Sequence, residues 1–146
     1  MPNRLNVRVA AYLILRRGSE ILLLRRFNTG YEDGKYSLIA GHVEHSESPS
    51  QAIVREAREE AGVEVAIQDL RFVKVVHRKC PDNVVFVDYY FEASRWSGEP
   101  RIAEPDKCDA LDWVRADALS GDIIPYIKSV LDGCGQQSVA LLEYGW

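Results

Sequence analysis

Five carboxylates, Glu44, Glu47, Glu56, Glu59 and Glu60, crowd into the run GHVEHSESPSQAIVREAREEAGV at residues 41–63. Carboxylate oxygens suit hard divalent cations, and Mg²⁺ keeps several waters and shares its shell with phosphates. Like charges one helical turn apart repel, so a crowd of acids calls for a compensating charge. The chemistry within reach of this cluster is therefore the binding of Mg²⁺ or Mn²⁺. Against it stands the plainer reading of a solvated acidic helix face, the usual fate of a charge run.

A helix must present these acids if they are to act together. Ser48 can cap its start and exchange bonds with Gln51 in a capping box, and Pro49 at the first helical position loses no needed donor. Gly62 suits the left-handed residue that closes a helix. The spacing predicts a helix over Pro49–Ala61. At about 100° per residue, Glu56, Glu59 and Glu60 share one stripe, while Ile53, Val54, Ala57 and Ala61 lie roughly 60–160° round the wheel. The apolar stripe can pack on a sheet, which leaves the acids along the edge of that contact. Glu47 can turn back toward the same edge, and Arg55 can pair with Glu47 or Glu59.

Written as a pattern, the run is Gly41, five residues, Glu47, seven residues, then Arg55-Glu56-Ala57-Arg58-Glu59-Glu60-Ala61-Gly62-Val63. This resembles the signature box of the Nudix hydrolase (MutT-like) family, G-x5-E-x7-R-E-U-x-E-E-x-G-U with U a bulky apolar residue. Every polar and glycine position matches. Ala57, at the first U position, is smaller than usual; it thins the packing under the helix and removes no ligand.

The resemblance implies an enzyme that hydrolyses a nucleoside diphosphate linked to another moiety, with Mg²⁺ or Mn²⁺ as cofactor. It implies Glu56, Glu59 and Glu60 as catalytic metal ligands, the Gly41 carbonyl as a further metal contact, and Glu47 and Arg55 as supports of the box. One of the acids, or an acid of a later loop, would activate the attacking water. The physical requirements agree: charge growing on phosphate oxygens must be neutralised and hydroxide generated near neutral pH, and bound metals do both. A nearby carboxylate then accepts the proton.

Fewer residues speak to the substrate. Arg25 and Arg26 end a predicted strand and point to opposite faces. A guanidinium forks onto phosphate oxygens, and the register with relatives favours Arg26. Glu104, with Asp106 behind it, lies in a late loop where relatives often keep an extra ligand or base. Tyr31, Tyr36 and Trp146 could stack on a base, with Tyr36 in the position where relatives often carry tryptophan. Read structurally, the same residues are solvated strand ends, a surface turn and core aromatics. His42 and His45 read as loop residues near the mouth of the site.

The chain has 146 residues, 47% of them apolar and 27% charged, with a net charge of −4. That bounds it to one globular domain, residues 1–146, with room for a core. No basic stripe argues for nucleic acid as a partner. Cys80, Cys108 and Cys134 show no paired spacing, which fits reduced thiols. No apolar stretch suits a signal peptide or a membrane span, so a cytoplasmic location with no membrane partner is expected. A small-molecule nucleotide is the expected partner, and a homodimer stays open.

Strands are expected over residues 6–16, 20–27, 35–40, 84–93 and 110–114, with extended character over 64–78. A helical turn is expected at 116–119, a helix at 123–131, and an apolar strip at 139–142. Strands on both sides of a central helix suggest an α/β (α+β) fold with a mixed sheet covered by helices on both faces. The resemblance sharpens this to a Nudix-type α/β/α sandwich. The leading function is cleavage of a nucleoside triphosphate, ordinary or oxidised, to monophosphate and pyrophosphate. Dinucleoside polyphosphates, ADP-ribose, nucleotide sugars and capped RNA ends are alternatives. A nucleotide sensor that had lost catalysis would usually lack one of Glu56, Glu59 and Glu60, and all three are present.

Overall fold

The structure, a computed structural model, describes residues 2–133 and 140–146. Its strands are β1 (Arg8–Arg17), β2 (Glu20–Arg26), β3 (Tyr36–Ser37), β4 (Ile39–His42), β5 (Arg71–Lys79), β6 (Val85–Ala93), β7 (Cys108–Arg115) and β8 (Leu141–Tyr144). Its helices are α1 (Pro49–Ala61) and α2 (Pro125–Asp132). Among the described residues no helix is long and apolar enough to cross a membrane.

β1 is the hub of the sheet. One edge runs parallel to β6 from Arg8 to Leu15, and the other is shared between β4 and the start of β2, both antiparallel. β5 pairs antiparallel with β6 and parallel with β8, while β2 carries β3 and β7. The sheet is therefore mixed, as the sequence suggested.

Alternation along β1 assigns the two faces. Ala11, Leu13 and Leu15 pack with Ala52, Ile53, Ala57 and Ala61 of α1. Tyr12 and Ile14 pack on the opposite face with Tyr126, Ile127, Val130 and Leu131 of α2. One helix on each face gives the three-layer sandwich. Ala57 is fully buried, and its small side chain lets the helix lie close to the sheet.

Several element boundaries differ from the expected ones. The strand expected over 35–40 is broken at Leu38 into two short strands, and the second continues through Gly41 and His42 into the acidic run. β4 gains this length because β1 offers it an open edge from Ala10 to Leu13. The extended stretch expected from residue 64 begins instead with a single bridge from Glu64 to Ser97 and one 3₁₀ turn, Ile67–Asp69. Residues 116–119 are a turn and not a helix, with the Ala118 amide donating to the Arg115 carbonyl at 3.1 Å. Ile123 forms a bridge to Tyr36, and the last helix waits for Pro125, whose fixed φ suits a first helical position. The strip at the tail becomes β8; its first residue, Val139, lies outside the described residues, as does Cys134. Cys80 and Cys108 are free thiols.

Candidate active site

α1 starts and stops where local chemistry dictates. The Gln51 amide donates to the Ser48 hydroxyl at 3.2 Å, and the Ser48 amide donates to the Gln51 side chain at 2.8 Å. Gly62 closes the helix in the left-handed region at φ 68°. Between these caps the acids emerge in fixed order.

Arg55 organises the cluster. Its Nε and Nη2 donate to Glu47 at 3.1 and 2.7 Å, and its Nη1 donates to Glu56 at 2.8 Å and to Glu59 at 3.2 Å. Nη2 also donates to the His42 carbonyl at 3.1 Å, tying the helix to the end of β4. The Arg55 guanidinium, with the Glu44 amide at 2.8 Å, holds the Glu47 carboxyl below the usual carboxylate range. One cation thus gathers acids that would otherwise repel.

Glu56 and Glu60 turn inward. Glu60 accepts from the Ala40 amide at 3.0 Å. Burial, and then the neighbouring Glu56, push the Glu60 carboxyl well above its ordinary value, and burial also raises Glu56 against the pull of Arg55. A side chain at Gly41 would run into the Glu56 carboxylate, so glycine there is what allows the acid to approach β4. Glu59 instead stands at the rim, half exposed and held by Arg55.

The third inward acid comes from the late loop. The Arg101 amide donates to the Ala61 carbonyl at 3.0 Å and the Ala103 amide to the Glu60 carbonyl at 3.2 Å. These bonds satisfy carbonyls left open at the end of α1 and fasten the next residue, Glu104, beside the helix. Glu104 then shares with Glu56, Glu60, Arg26 and Lys107 the lining of a cavity of about 430 Å³. Its charge contributes to the raised Glu60 carboxyl.

The other expected site residues fall in different places. Arg26 lines the cavity, but its Nε donates to the Tyr31 carbonyl at 2.6 Å and its Nη2 to the Thr29 hydroxyl at 3.0 Å. Arg25 also lines the cavity, with its guanidinium paired to Asp109 at 2.7 Å. Tyr36 lines neither cavity described here: its hydroxyl donates to Asp112 at 2.5 Å on the β7 side of β2. Its hydroxyl is thus turned toward β7 by a partner on that strand. Trp146 is likewise engaged elsewhere, donating to the His77 carbonyl at 3.0 Å. Asp106 and His45 are exposed and outside both cavities.

A second cavity, of about 780 Å³, adjoins the first through Arg26, Ser37 and Ala40. Gly41, His42 and Tyr31 line it, so these three face the second cavity and not the first. Its deepest charged group is Arg78, which sequence reasoning missed. The Arg78 Nε donates to Asp88 at 2.7 Å, and the two side chains are 5% and 0% exposed. The available signal was Asp88 itself, an acid in the middle of the apolar and aromatic run VVFVDYYF.

Carboxylate oxygens from Glu56, Glu60 and Glu104, which line one cavity, are a donor set that fits a hard divalent cation. Among the described residues no three such side chains are already gathered round a single metal-sized point. Arg55 occupies Glu56 and Glu59 in the meantime.

A family model for the NUDIX domain matches residues 4–132. The NAD-capped RNA hydrolase NudC of Pseudomonas aeruginosa is 36% identical over 107 residues, covering 73% of this chain and 36% of that protein. The chain thus spans about a third of the length of that relative. The 8-oxo-dGTP diphosphatase of Escherichia coli K12 is 27% identical over 119 residues, covering 82% of this chain and 88% of the relative. Among solved structures, the MutT NUDIX hydrolase of Burkholderia pseudomallei superposes with a TM-score of 0.81 at 28% identity, over 88% of this chain and 98% of that one. With the family model spanning nearly all of the sheet and both helices, the chain belongs to the Nudix hydrolase family.

Proposed function

We propose that the protein is a divalent-metal-dependent nucleotide pyrophosphohydrolase whose leading substrate class is nucleoside triphosphates, cleaved to monophosphate and pyrophosphate. One observation carries this reading: Glu56 and Glu60 of α1 and Glu104 of the late loop open onto one cavity that Arg26 and Lys107 also line. Acids that can hold a cation and bases that can hold phosphate oxygens meet there, which is what phosphoanhydride cleavage demands.

Glu56, Glu59 and Glu60 would hold Mg²⁺ or Mn²⁺, with the Gly41 carbonyl and Glu104 as further oxygens. The cation supplies charge neutralisation and a more acidic bound water. The residues do the rest. Arg55 and Glu47 keep the acids clustered on the helix. The Ala40 amide fixes one Glu60 oxygen and leaves the other for the cavity. A carboxylate beside the attacking water accepts its proton, and Glu60 and Glu104, which both line the cavity, are the two best placed. Arg26 and Lys107 orient the phosphates, and the adjoining cavity receives what the diphosphate is attached to. The relatives' names support a nucleotide substrate and differ in which one, so the substrate rests on assay.

The test is a panel of nucleoside triphosphates, dinucleoside polyphosphates, ADP-ribose, nucleotide sugars and NAD, assayed with Mg²⁺ or Mn²⁺ and with products identified. Triphosphates should yield monophosphate and pyrophosphate, activity should vanish with EDTA, and added metal should restore it. Turnover that survives EDTA, or no cleavage of any compound, would sink the reading.

A further inference from the structure

The floor of the larger cavity is built from hydrogen-bond donors. The Arg78 guanidinium packs against the ring of Tyr126 at 3.9 Å and that of Phe86 at 4.4 Å, so its plane is fixed and its edge is what a ligand meets. Nε and Nη2 donate to Asp88 at 2.7 and 3.4 Å, and Nη1 donates to the Cys80 sulfur at 3.2 Å. A guanidinium has five N–H groups and accepts nothing, so N–H groups on Nη1 and Nη2 remain for a ligand.

Beside it stand phenols. The Tyr31 and Tyr126 hydroxyls lie 3.2 Å apart, the Tyr12 and Tyr126 rings meet edge to face at 6.4 Å, and all three residues line the cavity. Burial pushes the Tyr12 and Tyr126 phenols well above their ordinary value, so both keep their protons.

Each carboxylate near the cavity already has a partner. Asp88 is fully buried behind Arg78 and does not line the cavity. Glu32, at the rim, pairs with Lys35 at 2.8 Å, and Asp82 accepts from the Val84 amide at 3.1 Å. An exocyclic amino group brought to this floor would face a guanidinium and find no free carboxylate. A carbonyl oxygen would find donors, and a guanidinium edge matches a keto base edge well.

We infer that the larger cavity selects nucleotides whose base turns a carbonyl oxygen toward Arg78, and discriminates against adenine. The inference rests on the proposed nucleotide reading, which places the diphosphate in the adjoining cavity. Arg78 and Tyr126 are then specificity-determining residues that touch the base. A site with fixed donors rejects the wrong edge strongly, because burying an unmatched donor is costly.

Inosine and adenosine nucleotides test the base edge, since inosine carries oxygen at C6 and N–H at N1 where adenosine carries an amino group and a bare nitrogen. Calorimetric titration of the wild-type protein with inosine and adenosine 5′-monophosphate should give binding about tenfold or more tighter for inosine. The corresponding triphosphates should differ by a similar factor in kcat/KM. Exchanging the whole buried pair, Arg78→Met with Asp88→Leu, avoids leaving one charge unpaired and should bring the ratio close to one. Tyr126→Phe should narrow it while retaining the ring against Arg78. Equal or tighter adenosine binding in the wild type, or a Tyr126→Phe ratio unchanged from the wild type, overturns the inference. Inosine preference without cleavage of either triphosphate would keep the inference and sink the hydrolase reading. Equal cleavage with equal binding would do the reverse.

Discussion

The α-carbon of Gly41 faces the carboxylate of Glu56 so closely that no side chain fits between them. A strand residue and a helix residue are thus in contact through an acid that the fold buries, and the glycine of the acidic run is a steric requirement of the glutamate fifteen positions later. Gly41→Ala should push Glu56 out of the cavity. Pyrophosphate release should fall about tenfold or more, and overpacking should cost about 1–3 kcal/mol of stability. A variant with wild-type turnover and thermal midpoint would show that the contact is slack.

Glu60→Gln keeps the shape of the side chain and its bond from the Ala40 amide while removing the charge. Product release should fall by about two orders of magnitude or more, with circular dichroism unchanged. Glu59→Gln should fall as far, although Glu59 stands at the rim beside Arg55. A near-full rate in either variant removes that residue from the ligand set.

The loop that follows β2 should respond to acid. The Asp33 carboxyl accepts from the Thr29 hydroxyl at 2.5 Å and from the Gly30 amide at 2.8 Å, and these bonds hold it below its ordinary value of 3.8. A depressed carboxyl contributes while ionised, so its support for the loop is present above about pH 3.8 and is lost as pH falls through the lower folded value. Amide resonances of Thr29 and Gly30, followed by NMR, should hold steady above that pH and move below it. In Asp33→Asn the acid-dependent movement should be absent; if it persists, another group is responsible.

Tyr36→Phe should leave turnover within about twofold of wild type, because its hydroxyl is engaged by Asp112 outside both cavities. The cost in stability should be on the order of 0.5 kcal/mol, as for other exposed substitutions. A large rise in KM would return Tyr36 to the substrate site.

The contrast between Tyr36 and α1 marks what could be read before the fold was known. The limits of α1 follow from neighbours in the chain: Ser48 with Gln51, Pro49 at the first turn, Gly62 at the last. Such chemistry is local, and both helix ends lie where the caps place them. The mixed sheet, with a helix on each face, was legible from the alternation of strands and helices. The larger cavity was not. Arg78 and Asp88 meet only through the pairing of β5 with β6, and Tyr126 reaches them from α2, 38 positions beyond Asp88. Pattern within one segment carries no record of such a meeting. The partner of Tyr36 was hidden for the same reason: Asp112 sits on β7, whose pairing with β2 only the fold reveals.

The acid of the late loop is spaced from the acids of α1 by main-chain bonds, from the amides of Arg101 and Ala103 to the carbonyls of Ala61 and Glu60. The bonds at residues 101 and 103 therefore need an N–H and not a particular side chain, whereas Ile102 between them packs against the core on the α1 face. A combinatorial library over these positions should keep every amino acid except proline at 101 and 103, since proline alone deletes the donor. Natural or laboratory drift at 101 and 103 would then leave a fingerprint of composition with one forbidden letter, while residue 102 between them stays apolar.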